Sequence, residues 1–327
     1  MKKLLEMKNL KTYFYADGKE LKAVDDICYH VFEGETLGIV GESGCGKSVS
    51  SMSILRLLES PPAKYVGGEI LFEGKDLLSV SEAKMREIRG NKISVIFQEP
   101  MTALNPLHKI GDQISEVLIL HKGMSKQAAA KEAVRLLELV RIPSAERIAR
   151  EYPFTLSGGI CQRCMIALAL ACEPLLLIAD EPTTALDVTI QAQVLNLMNE
   201  LKSNFNTSIL FITHDLGVIS QMADRVMVMY AGKVVEVADV ATIFEAPKHP
   251  YTLGLKRSKL DIGGNADRLQ VIPGNVPSLS AKLPGCPFHP RCAEAGARCK
   301  AEFPPETAVS PEHITACWLY AEGGVGL

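Results

Sequence analysis

The sequence predicts an α/β fold, a largely parallel sheet covered by helices. Three observations predict it. Short, unalternated apolar runs at 37–40, 93–97, 175–179 and 208–212 read as strands buried on both faces. Helical spacing of apolar residues at 126–140 and 190–202 places helices between those strands. The first run leads into glycines and a lysine, and the third ends in adjacent carboxylates, where open α/β sheets take their ligands. Residues 226–237, centred on Ala231-Gly232-Lys233, read as a closing hairpin.

Composition narrows the possibilities. A chain of 327 residues can bury a large core, as one big domain with or without an appendage. With 35 Lys+Arg against 38 Asp+Glu the net charge is −3, which argues against a general nucleic-acid binder. The longest apolar run, 164–172, is about half the ~18 residues of a membrane-spanning helix and stops at Glu173. Glu6 and Lys8 interrupt the basic start before any apolar leader segment forms, so a cytosolic protein is expected. Eight prolines lie in residues 1–240 and ten in the last 87, so from about residue 245 an irregular appendage is expected.

After the 37–40 strand comes Gly41-Glu42-Ser43-Gly44-Cys45-Gly46-Lys47-Ser48, and then a helical stretch over 49–58. This is G-x-x-x-x-G-K-[ST] in the strand–loop–helix context that the motif requires. Its glycines let backbone N–H groups of Gly41, Ser43, Gly44, Cys45 and Gly46 curl around phosphate oxygens, helped by the positive end of the helix. Lys47 can reach the β- and γ-phosphates, and the Ser48 hydroxyl can ligate Mg²⁺. The strand at 175–179 delivers Asp180 and Glu181. Asp180 fits the Mg²⁺ side of such a site, and Glu181 is the candidate general base for an attacking water.

Leu156-Ser157-Gly158-Gly159-Ile160-Cys161-Gln162 precedes the apolar helix 164–172. Ser157, Gly158 and Gly159 offer a hydroxyl and open amides at a helix start, a second anion site. One mononucleotide needs one phosphate loop, so a second site implies another nucleotide or another subunit. Here the text resembles the ATP-binding cassette family, whose signature is LSGGQ. Gln98 after a strand, Ala185-Leu186-Asp187, and His214 after a strand follow the family's order. The resemblance covers residues 1–245 and implies a P-loop NTPase core with a helical subdomain over about 99–172. It also implies that ATP is the cofactor, that Gln98 joins Ser48 and Asp180 around Mg²⁺, and that His214 acts in hydrolysis. Phe14 falls where the family stacks adenine on an aromatic ring, with Tyr13 and Tyr15 as neighbours. Ile160 and Cys161 depart from the commonest signature, where Gln and often Arg stand.

A narrower match surrounds Gln98. Phe97-Gln98-Glu99-Pro100-Met101-Thr102-Ala103-Leu104-Asn105-Pro106, Asp180-Glu181-Pro182-Thr183-Thr184-Ala185-Leu186-Asp187 and His249-Pro250-Tyr251-Thr252 resemble the dipeptide/oligopeptide permease ATPases. That resemblance implies an ATP-hydrolysing subunit, peripheral on the cytoplasmic face of the cell membrane. It implies a sister cassette, two transmembrane permease subunits, an extracytoplasmic substrate-binding protein and no nucleic acid. Glutathione and nickel importers share these features, and a non-transport cassette ATPase is the rival of another class. The long coiled-coil insertion of repair relatives and the second cassette of ribosome-acting relatives are both missing from the sequence.

Residues 246–327 form the expected extension, with Cys286, Cys292, Cys299 and Cys317 inside ~32 residues. Zinc sites favour CxxC pairs and none occurs here, so the spacing favours a [4Fe-4S] cluster over zinc, for which His289 or His313 could replace a cysteine. Some ATPases of the resembled type carry such a cluster. Unligated thiols are the third reading. Cys28, Cys45, Cys161, Cys164 and Cys172 read as small packing residues. Because the cysteines lie outside every hydrolysis motif, the extension is expected to be separable from nucleotide binding.

Overall fold

The computed structural model describes residues 2–16, 18–184, 186–258, 271–281 and 283–321. Among them the strands β1 Lys3–Ala16, β2 Lys19–Phe32, β3 Thr36–Val40, β4 Ala63–Phe72, β5 Lys75–Asp76 and β6 Ile93–Ile96 come first. The second half contributes β7 Leu176–Asp180, β8 Ser208–Thr213, β9 Arg225–Tyr230, β10 Lys233–Asp239, β11 Thr307–Ser310 and β12 His313–Thr315. The chain packs as two compact units interleaved in sequence. No described helix is long and apolar enough to cross a membrane.

The first unit is Met1–Leu4, Val31–Thr36 and Ser79–Ile212. Its strands run parallel in the order β8-β7-β6, with Ile178 opposite Leu210 on one side and Val95 on the other. Every residue of β7 is buried, which explains its unalternated apolar sequence. The helices Ile110–Lys122, Lys126–Leu139 and Gly158–Leu170 pack on one another. The helix read over 190–202 runs Val188–Phe205, because the Asp187 carboxylate caps it at Ile190 N–H and Asn206 closes it in the left-handed conformation. Cys161 is buried, its thiol donating to Pro153 O at 3.4 Å.

The second unit is Leu5–His30, Leu37–Leu78 and Thr213–Leu327. It holds an antiparallel sheet β2-β1-β4-β5 and the strand series β11-β12-β10-β9-β3. β3 and β9 are parallel, and β9 and β10 form the hairpin expected around Ala231-Gly232. The irregular extension expected after residue 245 is more ordered than its prolines suggest. β12 pairs antiparallel with β10, Glu236 opposite Thr315 and Val237 opposite Ile314, and β11 pairs with β12. These strands were illegible because they are short and β11 is mostly exposed, which leaves no apolar pattern.

One polar node ties the extension to this sheet. The Glu236 side chain, 1% exposed, accepts from His313 Nε2 at 2.7 Å and from the N–H groups of Lys248 and His249 at 2.6 and 3.0 Å. Burial holds the neighbouring His249 imidazole neutral, its pKa lowered to about 3, and its Nδ1 accepts from Tyr251 N–H. Replacing Glu236 by Ala strands three donors, two buried and that of Lys248 part-buried, and is expected to cost about 3 kcal/mol or more. Thermal melts check it; a Tm within ~2 °C of the parent counts against the node.

Candidate nucleotide site

Packing, as well as sequence, dictates the shape of the 41–48 loop. A Cβ on Gly41 would stand 2.2 Å from Met229 O, and one on Gly46 would stand 2.2 Å from Ala23 O. Gly46 also has φ +101°, so it alone can both turn the chain and start the helix Lys47–Ile54. Gly232 N–H donates to Cys45 O at 2.9 Å, fastening the loop to the β9–β10 turn. Cys45 is buried beneath the loop, and burial raises its thiol pKa, so it packs and does no chemistry. The Lys47 ammonium donates to the carbonyls of Gly41 at 2.7 Å and Glu42 at 3.1 Å, while Ser43, Gly44 and Ser48 are exposed. The loop is a preformed cradle of amides with its lysine drawn across it.

The extension reaches this loop. Tyr251 Oη accepts from Glu42 N–H at 2.8 Å, and Arg291 Nη1 donates to both Glu42 carboxylate oxygens, at 2.9 and 3.1 Å. The extension, expected to be separable from nucleotide binding, thus contacts the 41–48 loop directly. The pairing joins positions 249 residues apart, and no local pattern could announce it.

In the first unit, Asp180 is buried at the end of β7 and Glu181 follows in the left-handed region at φ +46°. Glu181 N–H donates to Ile212 O at 2.9 Å. Its Oε2 accepts from Gln98 Nε2 at 3.3 Å and from Thr184 Oγ1 at 2.9 Å. The structure thus gathers Gln98 and Glu181 and adds Thr184, which sequence reasoning did not assign. A non-glycine residue at positive φ stores strain, and such strain clusters at functional sites. Ser157 is exposed at the N-cap of Gly158–Leu170 and makes no side-chain cap bond; Gly158 is open, and a Cβ on Gly159 would lie 3.3 Å from Ile190 Cγ2. Ala185 lies outside the described residues, and Asp187 serves as a helix cap. His214, in the second unit, is exposed just after β8.

Of the three candidate rings, Tyr13 is buried with its hydroxyl donating to Asp25. Phe14 is half-buried, and Tyr15 is exposed with its hydroxyl donating to Glu20 at 3.0 Å.

Family models of two kinds match the chain: "ABC transporter" over residues 24–184, and "Oligopeptide/dipeptide transporter, C-terminal region" over 235–299. The oligopeptide transport ATP-binding protein AppD of Bacillus subtilis is 53% identical over 99% of both chains. The dipeptide transport ATP-binding protein DppD of the same organism is 50% identical over 98% of this chain and 95% of its own. The chain belongs to this family of ABC transporter ATP-binding subunits. Among solved structures, the dimeric cassette MJ0796 in a post-hydrolysis state with ADP and Pi matches with a TM-score of 0.65 and 28% identity. That match covers 72% of this chain and 98% of MJ0796.

The four clustered cysteines of this ABC subunit line one cavity of about 70 Å³, with Phe288 and Trp318. A single zinc ion, bonded at about 2.3 Å, needs its sulfurs within about 4 Å of one another. Among the described residues no three His, Cys, Asp or Glu side chains are gathered to hold a metal ion of any kind. Burial pushes the Cys286 thiol up to about 12 and Cys317 up to about 11, with neighbouring cysteines adding to it. Any metal these thiols take must therefore displace protons.

The cradle yields a test. Gly46→Ala cannot keep both φ +101° and its distance from Ala23 O, and is expected to abolish binding of a fluorescent ATP analogue while the circular dichroism spectrum persists. Unchanged affinity would contradict the packing argument.

Proposed function

We propose that this chain is the ATP-hydrolysing subunit of an importer of di- and oligopeptides. The observation that carries the reading is likeness over nearly the full length to peptide-transport ATP-binding proteins, extending through 235–299. In this reading Gly41, Ser43, Gly44, Cys45 and Gly46 present amides to the ATP phosphates, and Phe14 stacks on adenine. Lys47 neutralises charge building on the β- and γ-phosphate oxygens. Ser48, Gln98 and Asp180 would supply the hard oxygen donors that suit Mg²⁺, which when bound would neutralise phosphate charge. Glu181, steadied by Thr184 and Gln98, takes a proton from the attacking water, and His214 assists at the γ-phosphate.

Ser157, Gly158 and Gly159 serve the nucleotide of a second cassette subunit, head to tail with this one. Two transmembrane permeases and an extracytoplasmic binding protein complete the assembly, and this chain sits peripherally on the cytoplasmic face. Residues 1–245 form the cassette, 99–172 its helical subdomain, and 246–327 the peptide-permease extension. There Cys286, Cys292, Cys299 and Cys317 hold a [4Fe-4S] cluster. Their shared cavity supports this, since a four-iron cage takes one cysteine per iron and tolerates wider-set thiolates than one ion does.

Glu181→Gln is expected to keep ATP binding and lower hydrolysis by about 10²-fold or more. In cells, the same substitution should end growth on di- and oligopeptides that supply a required amino acid. Intact uptake would overturn the proposed role. Anaerobically purified protein should hold about four irons per chain, lost in Cys292→Ser; colourless protein with stoichiometric zinc would overturn the cluster.

A further inference from the structure

Glu42 puts a negative charge inside the loop that, in the reading above, must accept a triphosphate. Arg291 answers that charge from the far end of the chain. Its side chain is only 5% exposed. Nε donates to Pro273 O at 2.8 Å and Nη2 to Ile272 O at 3.3 Å, while Nη1 reaches both Glu42 oxygens and the Tyr230 hydroxyl at 3.2 Å. Two backbone carbonyls and a tyrosine thus hold the guanidinium in place, unlike a surface ion pair whose long side chains wander. Arginine stays charged at any working pH, so the compensation is permanent. The same patch grips the loop's backbone. Tyr251, whose hydroxyl accepts from Glu42 N–H, stacks edge-on against Tyr230 with ring centroids 4.6 Å apart. Tyr230 in turn meets Phe288 at 5.2 Å, and Arg291 is the residue before Cys292.

We propose that Arg291 is a positioning residue of the phosphate loop, neutralising and fixing Glu42 so that the C-terminal segment sets the loop's affinity for nucleoside triphosphate. The proposal rests on the assignment of residues 41–48 to ATP. Charge on the loop weighs most on the most highly charged ligand, so ATP should feel it more than ADP. A staple that merely holds the extension in place would not distinguish the two nucleotides.

Calorimetric titration of the full chain with Mg-ATP and Mg-ADP tests it, using R291A, R291K, E42Q and the R291A/E42Q pair. R291A should weaken ATP about fivefold or more, and ADP less. R291K should fall between R291A and the parent, because it keeps the charge and loses the fork. E42Q should bind ATP more tightly than the parent, and the double substitution should recover most of the loss in R291A. Parent-like ATP binding by R291A would overturn the proposal. So would weakening by E42Q, or a double variant as weak as R291A, since both are the marks of a staple. Should R291A fail to fold, E42Q and R291K decide alone. A parent chain that binds no ATP would instead overturn the nucleotide assignment itself.

Discussion

A carboxyl group in the interior is tolerable only when its oxygens are hydrogen-bonded, and Glu236 imposes that requirement on the second unit. All three donors come from residues 248, 249 and 313, far beyond the strand that carries the acid. The sheet edge and the extension therefore stabilise each other. Once His313 is seated, β12 lies on β10, with Ala316 N–H donating to Val235 O at 2.9 Å. Once Lys248 and His249 are seated, Tyr251 is delivered to the phosphate loop. A proline-rich segment that looked peripheral is thereby an integral part of the unit that holds the 41–48 loop.

What could be read from the sequence was what has a local signature. β3, β7 and β8 are buried along their whole length, so apolar runs without alternation reported them faithfully. The phosphate loop was legible because glycine spacing records where a Cβ would collide, as at Gly41 and Gly46. The 126–140 helix was read to within one residue, its periodic apolar face being buried and Ser125 capping it at Ala128 N–H. In β1 a register shift between Lys8 and Thr12 breaks the two-residue alternation that marks a strand. The Arg291–Glu42 pair and the Glu236 node join distant positions through side chains that solvent-facing residues also use, and no period or motif marks them. Thr184 was hidden differently, inside a recognised motif, where its contact with Glu181 depends on the left-handed turn of the glutamate itself.

Glu181 shows how the first unit holds the carboxylate just after β7. Its backbone is strained, its N–H is spent on Ile212 O, and its carboxylate is steadied by one hydroxyl and one amide. Those neutral donors orient the group. Glu42 in the second unit is instead paired with the guanidinium of Arg291.

The seating of β12 on β10 also fixes an order of events during translation. The last residue of β10 is 239 and the first of β12 is 313, so the 73 residues 240–312 separate the strand from its partner. At about 5–20 residues per second, the ribosome leaves the β10 edge open for roughly 4–15 s. Throughout that interval a row of unpaired backbone groups is offered to any neighbouring nascent chain. Slow codons between those positions lengthen the exposure, which makes synthesis rate across the extension a determinant of how much subunit reaches its folded form.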